Sequence, residues 1–248
     1  MKITLLGTGD APGTPIIGCD CRTCRDARNG GKSNRTRFSV LVESDEGKVL
    51  IDTSPDMRQQ MLSRGIKHID AVIWTHGHYD HYTGFGEFHR VQSHVDVYGV
   101  TDTLDYILDY VSFLKPRRHD VIPGEPFEII GLEFTVFEVN HPPVEKAIGV
   151  IIREGDRKVV ISGDTDNNIP EESLELIMDP DLFIVDAIIP DDVGFHVKKH
   201  MDAKEAMEMA EKIRAKEVVM THLSHYYKPH EEAVATFPLG YDGMEFIF

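Results

Sequence analysis

The segment Thr75–His81 reads T-H-G-H-Y-D-H and places His76, His78, Asp80 and His81 within six consecutive positions. Imidazole and carboxylate groups at that density are ligands for divalent ions such as Zn, Mn, Fe, Co or Ni. In an extended strand, neighbouring side chains alternate between opposite faces. A loop at the end of the apolar run before Thr75, loosened by Gly77, can instead curl these residues around two nearby cations. The other candidates obey a positional rule. Asp52 closes V-L-I-D, His141 follows a strand ending at Asn140, Asp164 follows K-V-V-I-S-G, and His222 follows E-V-V-M-T. Strand ends that share one sheet edge would deliver all of them to one place. Cys19, Cys21 and Cys24 form a second cluster, C-x-C-x2-C, packed too tightly for ordinary disulfide geometry. Three cysteines also cannot all pair, which favours a reducing compartment and a metal. His68, His89, His94, His119 and His230 fall outside both patterns and read as surface residues.

The elements that position these groups come in two batches. Lys2–Gly9, Phe38–Glu43, Lys48–Thr53, Ala71–Thr75 and Val95–Val100 read as strands. So do Leu132–Asn140, Ile148–Arg153, Lys158–Ser162, Leu182–Asp186, Glu217–Thr221 and Met244–Phe248. Apolar residues at helical spacing mark a helix over Thr103–Leu114. A second helix covers Ala203–Ala215, where Asp202 and Glu205 form a capping-box pattern. Many strands with few helices suggest an α/β (α+β) fold of two sheets with helices outside. Neither a linker nor a repeat interrupts the chain, so residues 1–248 read as a single domain.

Charge narrows the classes of partner. Across 248 residues there are 26 basic and 42 acidic side chains, a formal charge of −16. Such a surface repels phosphate backbones and argues against bulk binding of long nucleic acid. No apolar run approaches the roughly 18–20 residues that span a bilayer, and the opening segment is too short for a signal peptide. A cytoplasmic protein with no membrane association is the expectation. One segment departs from the acidic average: Arg22, Arg25, Arg28, Lys32, Arg35 and Arg37 lie together with Asp26 the only acid. It reads either as a solvated loop or as a local positive rim for an anionic substrate.

T-H-G-H-Y-D-H resembles the H-x-H-x-D-H signature of the metallo-β-lactamase fold superfamily. His141, G-D-T at Gly163–Thr165 and T-H at Thr221–His222 follow in the order that superfamily uses, and L-L-G-T-G at Leu5–Gly9 resembles its phosphodiesterase branch. The resemblance implies an αββα four-layer sandwich with two divalent metal ions at one sheet edge. It implies that His76, His78 and His141 bind one ion and that Asp80, His81 and His222 bind the other. Asp164 would bridge them, with Asp52 orienting a ligand histidine from behind. Two such ions can share a hydroxide and clamp a phosphoryl oxygen.

The cysteines narrow the branch. A tetrahedral structural zinc needs four ligands, and His225, three residues past His222, is the natural fourth beside Cys19, Cys21 and Cys24. This arrangement is similar to the cyclic ribosyl phosphate phosphodiesterases of bacterial phosphonate catabolism. A related protein of pyrroloquinoline quinone biosynthesis carries the same cysteine spacing, so the cysteines alone do not specify a substrate. In the phosphodiesterase branch a histidine in the context of His200 assists the leaving group, and His196 is a weaker substitute. The implied activity is hydrolysis of a small phosphodiester, cyclic esters included, by a metal-dependent hydrolase using Zn, Mn or a similar ion. Asp80 and His200 are the catalytic candidates, and a homodimer is compatible with this reading. A tRNA 3′-end-processing endoribonuclease is the alternative enzyme, disfavoured by the acidic charge and the lack of a long inserted arm. A non-catalytic metal-binding protein is the alternative of a different class.

Overall fold

The computed structural model describes residues 1–248. The chain first lays down β1 (Lys2–Gly7), β2 (Ser39–Glu43), β3 (Lys48–Ile51), β4 (Ala71–Ile73), β5 (Asp96–Gly99) and β6 (Arg117–Asp120). It then builds β7 (Pro126–Ile129), β8 (Leu132–His141), β9 (Val144–Glu154), β10 (Arg157–Ile161), β11 (Leu182–Asp186) and β12 (Glu217–Thr221), and returns with β13 (Glu245–Ile247). The first sheet runs β13-β1-β2-β3-β4-β5-β6 and the second β12-β11-β10-β9-β8-β7. Strands β3 to β6 are mutually parallel, as are β10 to β12, so their C-terminal ends collect at common edges.

Period-two alternation assigns each side chain to a layer. Val40, Val42, Val49 and Ile51 enter a core between the sheets with Phe134, Val136, Ile148, Val150 and Ile152. Their neighbours Leu41 and Leu50 face outward and pack with Met57, Leu104 and Ile107. Those three come from α2 (Met57–Arg64) and α4 (Thr101–Val111), which cover the first sheet. On the far side, Ile151, Phe183 and Val185 pack against α5 (Glu171–Ile177) and α6 (Ala203–Lys212). The layers are helix, sheet, sheet, helix. Asp202 caps α6 and forms the capping box with Glu205.

Several sequence expectations need correction. The helix expected over Thr103–Leu114 starts at Thr101 and tightens into a 3₁₀ turn over Ser112–Leu114. The one expected to reach Ala215 ends at Lys212. β4 stops at Ile73: Trp74 N–H still bonds the Tyr98 carbonyl of β5, but the next N–H, of Thr75, turns to Asp52 Oδ1. β9 begins at Val144, lengthened by its hairpin with β8. The charged edge strand β6, the strand β7 and four helices were not anticipated: α1 (Arg22–Arg28), α2, α3 (Tyr79–Tyr82) and α5, besides the single-turn α7 (His230–Ala233).

The basic segment is neither a solvated loop nor a free rim. Its first part is α1, and Arg22, Arg28, Lys32 and Arg37 pair with Glu232, Asp20, Glu231 and Asp56. Arg35 is buried, donating to Thr8 Oγ1 at 2.9 Å and the Gly240 carbonyl at 2.5 Å. His230, expected at the surface, is buried beside it, with Nδ1 3.1 Å from Arg35 Nη2. His68, His89, His94 and His119 are exposed.

Candidate metal centre

The strand ends converge at one edge. Asp52 follows β3, Thr75–His81 follows β4, His141 ends β8, Asp164 follows β10 and His222 follows β12. Asp52 and His222 adopt left-handed backbone conformations, φ 61° and 57°, rare for residues with a Cβ. Each turns its side chain off the strand axis toward the shared edge, and local strain of this kind persists where surrounding contacts hold it.

Two sets of donors meet at one carboxylate. His78 Nδ1 lies 2.9 Å from His76 Nε2 and 3.0 Å from His141 Nε2. Asp164 Oδ2 is 3.7 and 3.8 Å from the same His76 and His141 nitrogens. On its other side it lies 3.2 Å from His81 Nε2 and 3.3 Å from His222 Nε2. Asp80 Oδ2 completes that second set at 3.4 and 3.7 Å from those two nitrogens. The arrangement forms the groups His76–His78–His141–Asp164 and Asp80–His81–His222, each compact enough for one ion.

The donors fit cations on a test independent of spacing. His81 Nε2 and both ring nitrogens of His222 are buried without any hydrogen-bond partner. Unsatisfied buried polar atoms are costly, and a divalent ion between the two Nε2 atoms and the carboxylates removes that cost for both of them. The electrostatics agree. Burial, reinforced by the nearby His81 charge, pushes His76 well below the ordinary imidazole range, and burial takes His141 to about 4. Both rings therefore present lone pairs at neutral pH. Against the effect of burial, His222 and His81 hold Asp164 well below the usual carboxylate range. Against burial again, Asp164, Asp80 and Asp52 raise His81 well above its ordinary value, so the local field favours positive charge there.

Outer partners set the ring orientations. Asp52 Oδ2 accepts from His81 Nδ1 at 2.7 Å and from Thr75 Oγ1 at 2.7 Å. Thr75 Oγ1 lies 3.0 Å from His76 Nδ1, and the Lys199 carbonyl lies 2.9 Å from His141 Nδ1. Each of these three rings thus keeps Nε2 for the site, the usual role of such partners around a metal. His200 is buried beside both sets, its ring 4.8 Å from that of His141 and 4.9 Å from that of His222. Its Nδ1 bonds Asp186 Oδ2 at 2.8 Å. His196 is exposed and belongs to a separate group with Asp202 and Glu205.

Asp186 and Asp10 were missed in the sequence. Asp186 ends F-I-V-D as Asp52 ends V-L-I-D, and that echo could have found it. Besides His200 it accepts from Thr165 N–H at 3.1 Å, with Oδ1 3.7 Å from His222 Nδ1. Asp10 is buried with Oδ1 unpartnered, and burial lifts its carboxyl to about 7.

The cysteines form the second cluster. His225 Nδ1 lies 3.3 Å from Cys19 Sγ and 3.7 Å from both Cys21 and Cys24 Sγ. Three thiols around one imidazole are the donor types of a tetrahedral zinc site. Cys21 Sγ also caps α1, accepting from Cys24 N–H at 3.4 Å. Thr23 Oγ1 donates to the Tyr227 carbonyl at 2.5 Å, a second tie between the N-terminal loop and the segment after β12.

Fold and donors together define a metallo-β-lactamase-type protein. Residues 48–223 match the β-lactamase superfamily domain, and the chain belongs to that family. Among solved structures, a diphosphatase from the PhnP family is 32% identical, covering 100% of this chain and 97% of that one at a TM-score of 0.87. Zn²⁺-bound PqqB from Methylobacterium extorquens, 22% identical over 100% of both chains at a TM-score of 0.83, shares the fold. An octanoyltransferase of Porphyromonas gingivalis is 31% identical over 271 residues, covering 100% of this chain and 51% of that protein. Coenzyme PQQ synthesis protein B of Ruegeria pomeroyi is 32% identical over 154 residues, 56% of this chain and 52% of that protein. The chain thus spans about half the length of the curated relatives it matches. No helix is long and apolar enough to cross a membrane.

Proposed function

We propose that this chain is a binuclear-metal phosphodiesterase acting on a small phosphodiester, cyclic esters included, with a structural zinc at Cys19, Cys21, Cys24 and His225. His76, His78 and His141 would hold one active-site ion, Asp80, His81 and His222 the other, and Asp164 would serve both. When bound, two divalent ions supply an acidified water as nucleophile and positive charge that polarises the phosphoryl oxygen. The protein's own contribution is orientation and proton management. Asp52 fixes His81 directly and His76 through the Thr75 hydroxyl. Asp186 accepts from His200 Nδ1–H and leaves Nε2 to pass a proton to the departing alkoxide.

The observation that carries the reading is the Asp186–His200 pair standing beside both ligand sets. A metal-storage or scaffold protein has no use for a buried, oriented proton donor at that place. Similarity to the PhnP-family diphosphatase across the whole chain supports hydrolysis at phosphorus over other reactions of the fold. The test is a panel of bis-p-nitrophenyl phosphate, 2′,3′-cyclic nucleotides, a cyclic ribose phosphate and short RNA, assayed with Zn- or Mn-loaded protein. Hydrolysis of small diesters, lost on chelation, is expected. Protein that holds two ions per active site and cleaves none of them refutes the proposal, and preference for RNA favours the endoribonuclease alternative.

A further inference from the structure

A cleft of about 360 Å³ opens directly beside His78, at the low end of small-molecule pockets. Its floor is Gly77 and His78, in the ligand loop itself. One wall is the first turns of α4, with Asp102 and Tyr106, and the other is the start of β9, with Glu145 and Lys146. Tyr106 is 62% exposed, and its ring has neighbours on the inner side. It packs edge-to-face on Tyr82, with ring centroids 5.9 Å apart. It also lies so close to Gly77 that a Cβ there would come 2.8 Å from Tyr106 Cδ1. Glycine at position 77 therefore does more than loosen the ligand loop. It lets an aromatic ring stand against the donor cluster while lining the cleft.

The charges around the ring are selective. Asp102 and Glu145 contribute two acceptors, and Lys146 Nζ sits 3.9 Å from Asp102 Oδ2. Net negative charge at the rim disfavours a second phosphate or a carboxylate in the cleft. A neutral planar ring carrying amino donors suits it: the face stacks on Tyr106 and the exocyclic N–H groups meet the carboxylates. We infer that this cleft is a nucleobase subsite, making the substrate a nucleoside-bearing phosphodiester with an amino-substituted base such as adenine or cytosine. The inference rests on the phosphodiesterase reading for its turnover, but not for its binding. Volume adds a limit, since a cleft this small holds one base and not an oligonucleotide.

The experiment compares three substrates sharing one leaving group: methyl p-nitrophenyl phosphate and the p-nitrophenyl esters of adenosine and thymidine 5′-phosphate. With metal-loaded protein, kcat/KM for the adenosine ester should exceed that for the methyl ester by about tenfold or more, chiefly through KM, the scale of one stacked base. The thymidine ester, lacking an exocyclic amine, should fall between them. Tyr106→Ala should bring the adenosine-to-methyl ratio toward one, and Tyr106→Phe should preserve it. Removing both rim acceptors, Asp102→Ala with Glu145→Ala, should sharply reduce the preference for adenosine over thymidine. Binding of adenosine itself, followed by titration calorimetry, should be saturable and lost in Tyr106→Ala. A wild-type ratio near one, or a ratio that Tyr106→Ala leaves unchanged, overturns the subsite. If adenosine binds through Tyr106 while no diester is hydrolysed, the subsite stands and the phosphodiesterase reading falls.

Discussion

His222 and His225 lie three residues apart on one segment, yet they face clusters built in opposite ways. The histidine–aspartate cluster is assembled from the ends of strands in both sheets, and nearly all of its donors are buried. Its charges compensate each other, with Asp164 held low and His81 held high. The cysteine cluster is assembled from the loop before α1, the first turn of α1 and the loop after β12, segments at opposite ends of the sequence, and is only partly buried. There, burial pushes the Cys24 thiol up to about 12, so the thiolate needs a cation beside it to persist. A site on strand ends is positioned by the sheets whether or not ions are present, so ions held there would be free to serve chemistry. A site joining one end of the chain to the other depends more on its own ion, whose binding energy would then be folding energy.

The strongest test of the first half of that contrast is Asp164→Ala. Loss of the shared carboxylate should reduce turnover by more than about 10³-fold and lower metal occupancy at the pair. Circular dichroism and the melting transition should stay close to wild type, because the strand ends remain in place. Retained activity would show that the bridge is misassigned. Asp166 is the obvious replacement, although its carboxylate is occupied by Asn140 Nδ2 and Asn168 N–H.

A finer prediction concerns His200. Its substitution by alanine should matter little for p-nitrophenolate, which leaves without a proton. It should cost roughly 10²–10⁴-fold for an alkoxide leaving group. Equal losses on both substrates would remove the proton-donor role and point to phosphate binding instead.

The paired variants His222→Ala and His225→Ala test the contrast itself. His222→Ala should collapse activity and lose an active-site ion with a small change in melting temperature. His225→Ala should lose one zinc and about 3 kcal/mol, the scale of a native cross-link. For a chain of this size that is about 6–12 °C. Turnover should fall only as far as the loosened loop disturbs His222. If both variants lose stability and activity in the same proportions, the two clusters are one cooperative unit and the contrast fails.

Much of this was legible because the informative residues are local. His76, His141, Asp164 and His222 each stand at or just after an apolar strand pattern, and Leu182–Asp186 and Glu217–Thr221 have the bounds the sequence suggests. The αββα layering follows from alternation, since Leu41 and Val42 are neighbours that enter different cores. What the sequence hid depends on distant partners. β6 reads R-R-H-D with every residue exposed, so it carries no apolar signal. It is held by pairing with β5 and by ion pairs such as Arg117–Asp96. α1 has three basic residues in seven, and its apolar face is legible only once the cysteines are known to turn inward. Asp186 looked like the end of an ordinary strand, because its partner His200 comes from a loop with no periodicity of its own.

His230 is the clearest case of a residue whose surroundings are set 195 positions away, and it yields the smallest of these effects. It lies five residues beyond His225, serves neither cluster, and shows what the C-terminal segment contributes without an ion. Arg35 Nη2–H donates to His230 Nδ1, so the ring must be neutral to accept. Burial, and then the Arg35 charge, lowers its pKa from 6.5 to about 4. A base whose folded-state pKa lies below its unfolded value binds its proton first in the unfolded chain. Its contribution to stability is therefore fully present above about pH 6.5, declines as pH falls, and is gone near pH 4. At pH 5 the loss should be about 1–2 kcal/mol. Asparagine can offer an oxygen near the Nδ1 position without titrating in this range. His230→Asn should thus flatten the fall in urea midpoint between pH 6.5 and pH 4, relative to wild type. Any pH dependence arising from the cysteine cluster is common to both proteins and cancels in the difference. Identical slopes in the two proteins would mean that Arg35 and His230 separate on protonation at no cost, and that the segment is held by the cysteine site alone.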